Sequence, residues 1–330
     1  MRRLVVALDA FWFVAGSADR LAVLRVLLGS SAVVFLGLRF QQYASIAATA
    51  PDLFEPVGPI AVLTRPIPPA AFEAILVVTL LAGGGFVLGW RFAWTGPLFA
   101  ALLLLVVSYR NSWSMIYHVD NLLVLQILVL GLTRSADALS FDASGMRPLS
   151  ERWDRDRAGE QYAEAPSAER RGWHWEYGYP IRLLCAVTIA VYVLSAIAKL
   201  SGPLGLNWAL GDGLRNQIGF DALRKELLET GAQPLAYIVF NNLALAGAIG
   251  VSAIVLELGS IVALFNERIG RLWAVAAYGM HWGIHAVMGI TFWYQLTGLA
   301  FAPFLVSEGL VRWCREEAAP WVRARTVLRA

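Results

Sequence analysis

Seven ionisable residues fall in stretches apolar enough to cross a bilayer: Arg25, His118, Asp120, Lys199, Glu257, His281 and His285. At the centre of a spanning helix an Asp, Lys or Arg costs about 2.5–3.5 kcal/mol on insertion scales. Each of the seven therefore needs a partner or a task. Lys199 is the most informative, because 25 of the 27 basic residues are arginine and only Lys199 and Lys225 are lysine. Lysine differs from arginine in one chemical respect: when desolvated it gives up its proton within reach of neutral pH and becomes a base. The plain alternative is a lysine snorkelling from a helix end to the headgroups.

His281 and His285 stand four apart in His-Trp-Gly-Ile-His and so share one helix face. That spacing suits two metal ligands or haem axial ligands, with His118, Asp120 or Glu257 as a third donor. It equally suits two packing histidines bonded to carbonyls. No HExxH accompanies the pair, and neither metal nor haem is expected. Glu257, in Val-Leu-Glu-Leu-Gly-Ser, needs a cation, and Arg25 is the expected partner in a structural ion pair. Asp120 follows His118 in His-Val-Asp-Asn and has no assigned role from its spacing. The chain has no GxSxG and no phosphate-binding loop. Gly83-Gly84-Gly85 lies mid-span, where it favours close helix approach. Cys185 and Cys314 are far apart, outside any CxxC or Cys/His pattern.

The elements that must hold these residues follow from composition. Of 330 residues, 58% are hydrophobic and 15% charged, against about 25% charged in soluble domains. The fold class expected is all-α, a polytopic integral membrane helix bundle of about eight spans. They cover roughly 21–39, 71–90, 93–109, 114–133, 181–200, 236–265, 272–290 and 294–312. One domain, 1–330, is expected, with a solvated polar loop at 134–179 and an amphipathic segment at 201–234. In that segment Asp221-Ala-Leu-Arg-Lys-Glu-Leu-Leu-Glu-Thr reads as a helix stopped by Gly231. Asp9, Ser17 and Asp19 interrupt the N-terminal stretch, which argues against a cleavable signal.

With the N-terminus inside, 19 of the 27 basic residues fall at cytoplasmic positions, as the positive-inside rule requires. Both termini are then cytoplasmic, 134–179 is cytoplasmic and 201–234 lies on the outer face. The spread of basic residues suits membrane orientation and no nucleic-acid partner. The Arg-rich, Lys-poor usage suggests a GC-rich genome and a bacterial plasma membrane.

Three stretches then carry a resemblance. Arg20-Leu-Ala-Val-Leu-Arg-Val-Leu-Leu-Gly opens the first span. Tyr192-Val-Leu-Ser-Ala-Ile-Ala-Lys-Leu precedes Asn207-Trp208-Ala-Leu-Gly211, and His281 sits in an apolar helix running to Phe292. In this order, over roughly residues 18–315, they resemble the horizontally transferred transmembrane (HTTM) family, which includes the vitamin K-dependent gamma-carboxylases. The resemblance implies a reduced, vitamin K-like quinone as cofactor and Lys199 as the base that deprotonates it. It also implies His118 and His281 as catalytic neighbours, with Trp208, Asp120 and His285 lining the quinone site. The carboxylases' asparagine-asparagine-histidine motif is not reproduced, since Trp113 is followed by Ser114, Met115 and Ile116 before His118. Their large lumenal domain has no counterpart either. Quinol-dependent oxygenation or epoxidation is therefore expected, without protein glutamate carboxylation. Two other readings are an accessory membrane protein for maturation of a secreted peptide, and a haem-binding electron carrier. Membrane lipid is a partner under all three.

Overall fold

The computed structural model describes residues 2–113, 120–144, 173–210 and 212–314. His118 lies outside the described residues. The fold is an all-α bundle; its sole strands among the described residues are Gly16–Ser17 and Trp173–His174, paired antiparallel. The chain divides into two compact units, Met1–Leu184 with Val306–Ala330, and Cys185–Leu305.

The first unit opens with α1 (Arg2–Trp12), whose Val5, Val6 and Leu8 are exposed. The next helix, α2 (Ala18–Leu38), is capped by Ser17, which accepts the Arg20 N–H. Ser17 is in turn tied to Glu308 by its own N–H and hydroxyl. After the short α3 (Phe40–Ile46), α4 (Pro69–Leu88) and α5 (Phe92–Asn111) form a tight hairpin, and α6 (Asn121–Gly131) packs on α5. Gly83 and Gly85 permit the contact around α4: a Cβ on Gly83 would lie 2.6 Å from Val33, and one on Gly85 2.7 Å from Thr95. The close approach expected of the triple glycine is thus made by its outer two members, while Gly84 faces open space.

Polar chain after α6 is built into this unit rather than solvated throughout. Ser135 and Ala136 are buried. Asp142 accepts the Arg91 and Phe92 N–H groups at 2.9 and 2.7 Å, capping α5 from outside its own sequence. Arg134 bonds Glu176 at 3.1 Å and so joins the two ends of the segment. Residues 145–172, the middle of the expected loop, lie outside the described residues.

The second unit carries most of α7 (Trp175–Ser201), then α8 (Asp212–Leu227), α9 (Pro234–Phe240), α10 (Leu243–Ala263) and α11 (Glu267–Met288). Helix α8 starts nine residues before the amphipathic stretch read from sequence. It buries Leu214, Ile218 and Ala222, one turn apart, against Ala236, Val239, Ala246 and Met288. The long apolar run at 236–265 is two helices, because Asn242 caps a new start by accepting the Leu245 N–H.

Among the described residues five helices are long and apolar enough to span: α2, α4, α5, α7 and α10. They fall on five of the expected runs, and residues 114–119 of a sixth lie outside the described residues. At 114–133 only the eleven residues of α6 are described as helix. Helix α11 has the length, 22 residues, but His281, His285, Trp273, Trp282 and Tyr278 lower its hydropathy. The run at 294–312 is not one helix. Gly298 takes the left-handed conformation at φ 78° and Pro303 follows, so α12 (Trp293–Leu296), a single 3-10 turn and α13 (Ala302–Leu305) replace a span. Such irregular backbone is tolerated in an apolar phase when protein covers it, and Tyr294, Ala300, Phe301 and Ala302 are buried. Large apolar side chains such as Leu81, Leu194, Val255 and Leu272 remain exposed on the long helices. A bilayer is the solvent that such faces require.

Candidate functional site

One face of α7 carries Tyr192, Ser195, Ala196 and Lys199, at spacings of three, four and seven residues that keep them in a single stripe. Helix α10 offers Gly250, Ile254, Glu257 and Ser260 on its buried face, and α11 offers Trp273, Ala274, Ala277 and His281. Two polar contacts join these three stripes. Lys199 Nζ donates to Glu257 Oε1 in an ion pair, and Ser195 Oγ lies 3.4 Å from the same oxygen. Tyr192 Oη and His281 Nε2 share a hydrogen bond of 2.8 Å.

Both contacts are sheltered, to different degrees. The Glu257 side chain is 5% exposed and that of Lys199 24%. Trp273 stacks edge-on to Tyr192 with ring centroids 5.1 Å apart, and Phe292 does the same to His281 at 5.0 Å. Trp273 is itself fixed by its indole N–H, which donates to the Leu256 carbonyl at 3.0 Å. Beyond α7 the chain turns at Gly205, φ 50°, into a 3-10 segment that brings Trp208 back over the lysine. Lys199 Nζ stands 4.8 Å from the centre of that ring, a cation–π contact. Two glycines hold this turn in place. A Cβ on Gly213 would lie 2.5 Å from the Trp208 backbone, and one on Gly250 2.7 Å from the Ala209 carbonyl.

Two buried polar atoms beside this cluster have no hydrogen-bond partner among the described residues: Glu257 Oε2 and His281 Nδ1. Trp273 links the two contacts, since its ring meets Tyr192 and its indole N–H donates to the carbonyl of Leu256, the residue before Glu257. A cation, a carboxylate, a phenol and an imidazole therefore stand together in an apolar surround.

Of the residues singled out in the sequence, Lys199, Glu257, Trp208 and His281 fall in this cluster. His285 is half-buried one turn further along α11, where its Nδ1 lies 3.4 Å from Thr291 Oγ1. Asp120 belongs to the other unit and lies 3.5 Å from Arg110. The expected pairing of Arg25 with Glu257 is corrected: Glu257 takes Lys199. Arg25 donates to the Ser135, Ala138, Leu139 and Val87 carbonyls. No three His, Cys, Asp or Glu side chains converge as a metal site among the described residues. Tyr192 and Ser195 received no role from the sequence although they stand seven and four residues before Lys199 on its own helix face, and nothing in the sequence singled out Trp273.

The chain matches no protein-family model, no curated protein and no solved structure.

Proposed function

We propose that this chain is a multi-pass protein of the bacterial plasma membrane that oxidises a reduced, vitamin K-like quinone with oxygen, in the manner of the HTTM family it resembles. The reading takes both termini as cytoplasmic and the Lys199 end of α7 as the outer end. One observation carries it. A lysine–glutamate pair sits in an apolar helix cluster beside two buried polar atoms that have no partner among the described residues. Ionisable groups at that depth are costly, and they concentrate at functional sites.

The residues present suit a hydroquinone. Glu257 Oε2 is a free acceptor for a phenolic O–H, and the Tyr192–His281 pair has a proton to offer a ring oxygen. Trp208 presents a flat apolar face. When bound, the reduced quinone supplies the electrons that oxygen takes up. The chain's own part is to hold the ring, take up its hydroxyl proton at the Lys199–Glu257 pair and keep water out with Trp273, Phe292 and Phe301.

A second reading has an observation of its own. Lys199 meets both a carboxylate and a ring, so the pair is also a complete lock between α7 and α10. That suits an accessory protein for maturation of a secreted peptide, with no reaction of its own. Oxygen uptake by purified protein in nanodiscs, with reduced menadione as substrate, separates the two. Uptake with epoxide among the products, lost in Lys199→Ala, is the expected result. Equal uptake in both proteins, or none with any of several hydroquinones, refutes the oxygenase and leaves the lock.

A further inference from the structure

Either member of the ion pair could receive a proton from a ligand, and their contacts distinguish them. Lys199 Nζ donates to a carboxylate oxygen and faces an indole ring 4.8 Å away. Both contacts stabilise an ammonium ion, since a cation–π attraction requires the positive charge. An ammonium has no lone pair and accepts nothing. Glu257 is in the opposite position. Its Oε1 is engaged by Lys199, while Oε2 is buried and has no partner among the described residues. A carboxylate oxygen left bare in an apolar surround is a strong acceptor without a donor.

The neighbouring contact supplies the complement. Neutral Tyr192 and His281 hold two polar protons, one on the phenol and one on the imidazole, and share one hydrogen bond. If Tyr192 donates to Nε2, the proton on Nδ1 is the one without a partner. If Nε2–H donates instead, the phenol's proton is left over. Either tautomer leaves one donor to spare in the same helix cluster as the spare acceptor.

We propose that Glu257 is the proton acceptor of this site and Lys199 its fixed counter-cation, for an apolar ligand that presents an ionisable hydroxyl. The ligand's O–H bond breaks, the proton bonds to Glu257 Oε2, and the electron pair stays on the ligand oxygen. That oxygen becomes an anion facing the Lys199 ammonium and the spare Tyr192–His281 donor. Total charge is unchanged and nothing is oxidised in the step. Only the identity of the hydroxyl as that of a hydroquinone rests on the oxygenase reading.

Arginine cannot serve as a base, so Lys199→Arg keeps the cation and removes any basicity. With reduced menadione in nanodiscs, Lys199→Arg is expected to stay within about tenfold of wild type, because positioning alone is disturbed. Glu257→Gln is expected to lose about a hundredfold or more, the usual worth of a general base. The reverse order, an inactive Lys199→Arg beside an active Glu257→Gln, overturns the assignment. A substrate-free readout guards against misfolded variants and against failure of the oxygenase reading itself. Dicyclohexylcarbodiimide attacks protonated carboxyl groups in apolar sites, and mass spectrometry locates the adduct. Glu257 should label slowly in wild type and Lys199→Arg, and several-fold faster in Lys199→Ala. Rapid labelling of wild type would mean that the carboxyl already carries its proton, and the proposal falls. Expected labelling without hydroquinone turnover would end the oxygenase reading and leave Glu257 as the free acceptor.

Discussion

Replacing Arg25 by methionine tests how the first unit is held together. Its guanidinium is wholly buried and ends on carbonyls from two separate places in the chain. Nη1 donates to Ser135 O at 2.9 Å and Nη2 to Leu139 O at 2.5 Å, while Ala138 O and Val87 O stand at 3.4 Å. The two short bonds dominate, since bonds near the distance limit contribute little. A hydrogen bond from a charged group is worth about 1.5–3 kcal/mol, so the pair contributes about 3–6 kcal/mol. Removing the buried charge offsets part of this, because its desolvation cost vanishes with it. Methionine fills similar volume but leaves Ser135 O and Leu139 O without their donors. The expected net loss is about 3 kcal/mol, and Arg25→Lys should lose about half as much by keeping one point contact. Denaturant unfolding in detergent measures the loss. Hydrogen exchange read by mass spectrometry should show it as deprotection of residues 135–142 before the helices open. A shift below about 0.5 kcal/mol, the range of ordinary surface substitutions, with protection of 135–142 intact, would refute the role given to Arg25.

Helices α5 and α6 meet through two glycines, each of whose added Cβ would fall 2.6–2.8 Å from the other's carbonyl. Because backbone rather than a side-chain tip blocks it, Gly131→Ala should destabilise by about 1–3 kcal/mol, whereas Gly84→Ala, with open space around it, should be neutral or slightly stabilising in the same unfolding assay. Gly250→Ala should push away the turn that carries Trp208 and weaken the lysine–indole contact, read as a change in tryptophan emission alongside lower stability. Glu226 accepts the Ala232 N–H and the Tyr237 hydroxyl, which lowers its carboxyl from the ordinary 4.5. With the folded value below the unfolded one, its contribution is present above the ordinary value and fades as pH falls through the folded one. Exchange protection of the Ala232 amide should therefore drop on acidification in wild type and lose this dependence in Glu226→Gln.

What the sequence made legible, and what it hid, follow one physical rule. Hydropathy reads length and polarity, so the helices with unbroken apolar runs, α2, α4, α5 and α7, stand where composition puts them. Breaks set by single residues are weaker signals. Asn242 splits one run because a side-chain oxygen finds an orphan N–H, and Gly298 with Pro303 dissolves another. A hydropathy window averages across all three. The candidate site divides in the same way. Lys199, Glu257 and His281 announced themselves as costly groups in apolar sequence, but partner choice is a matter of three-dimensional reach. Arg25 and Glu257 looked complementary as charges, yet the arginine's fork is taken up by carbonyls and one oxygen of the glutamate by Lys199. Tyr192 carried no role of its own because a tyrosine in an apolar helix is ordinary until an imidazole stands 2.8 Å away.

The scarcity of lysine now reads differently. If lysine were kept only where a base is wanted, Lys225 should also sit beside an ionisable ligand site. Instead its Nζ lies 2.8 Å from Asp221 Oδ2 and donates to the Met288 carbonyl, just before Gly289 ends α11. There it is a compact cation joining one carboxylate to one further acceptor at a helix C-terminus, where positive charge is favoured. Lys199 has the same pattern, one carboxylate and one electron-rich face. Arg25 shows the opposite need, a planar fork spread over several carbonyls. These three cations differ by geometry: Arg25 spans several oxygens, whereas Lys199 and Lys225 each bring a single point charge close to one carboxylate. Lys199, between a carboxylate and a ring face, is placed as the site's cation, and Glu257 Oε2, without a partner among the described residues, is left as the place where a proton can arrive.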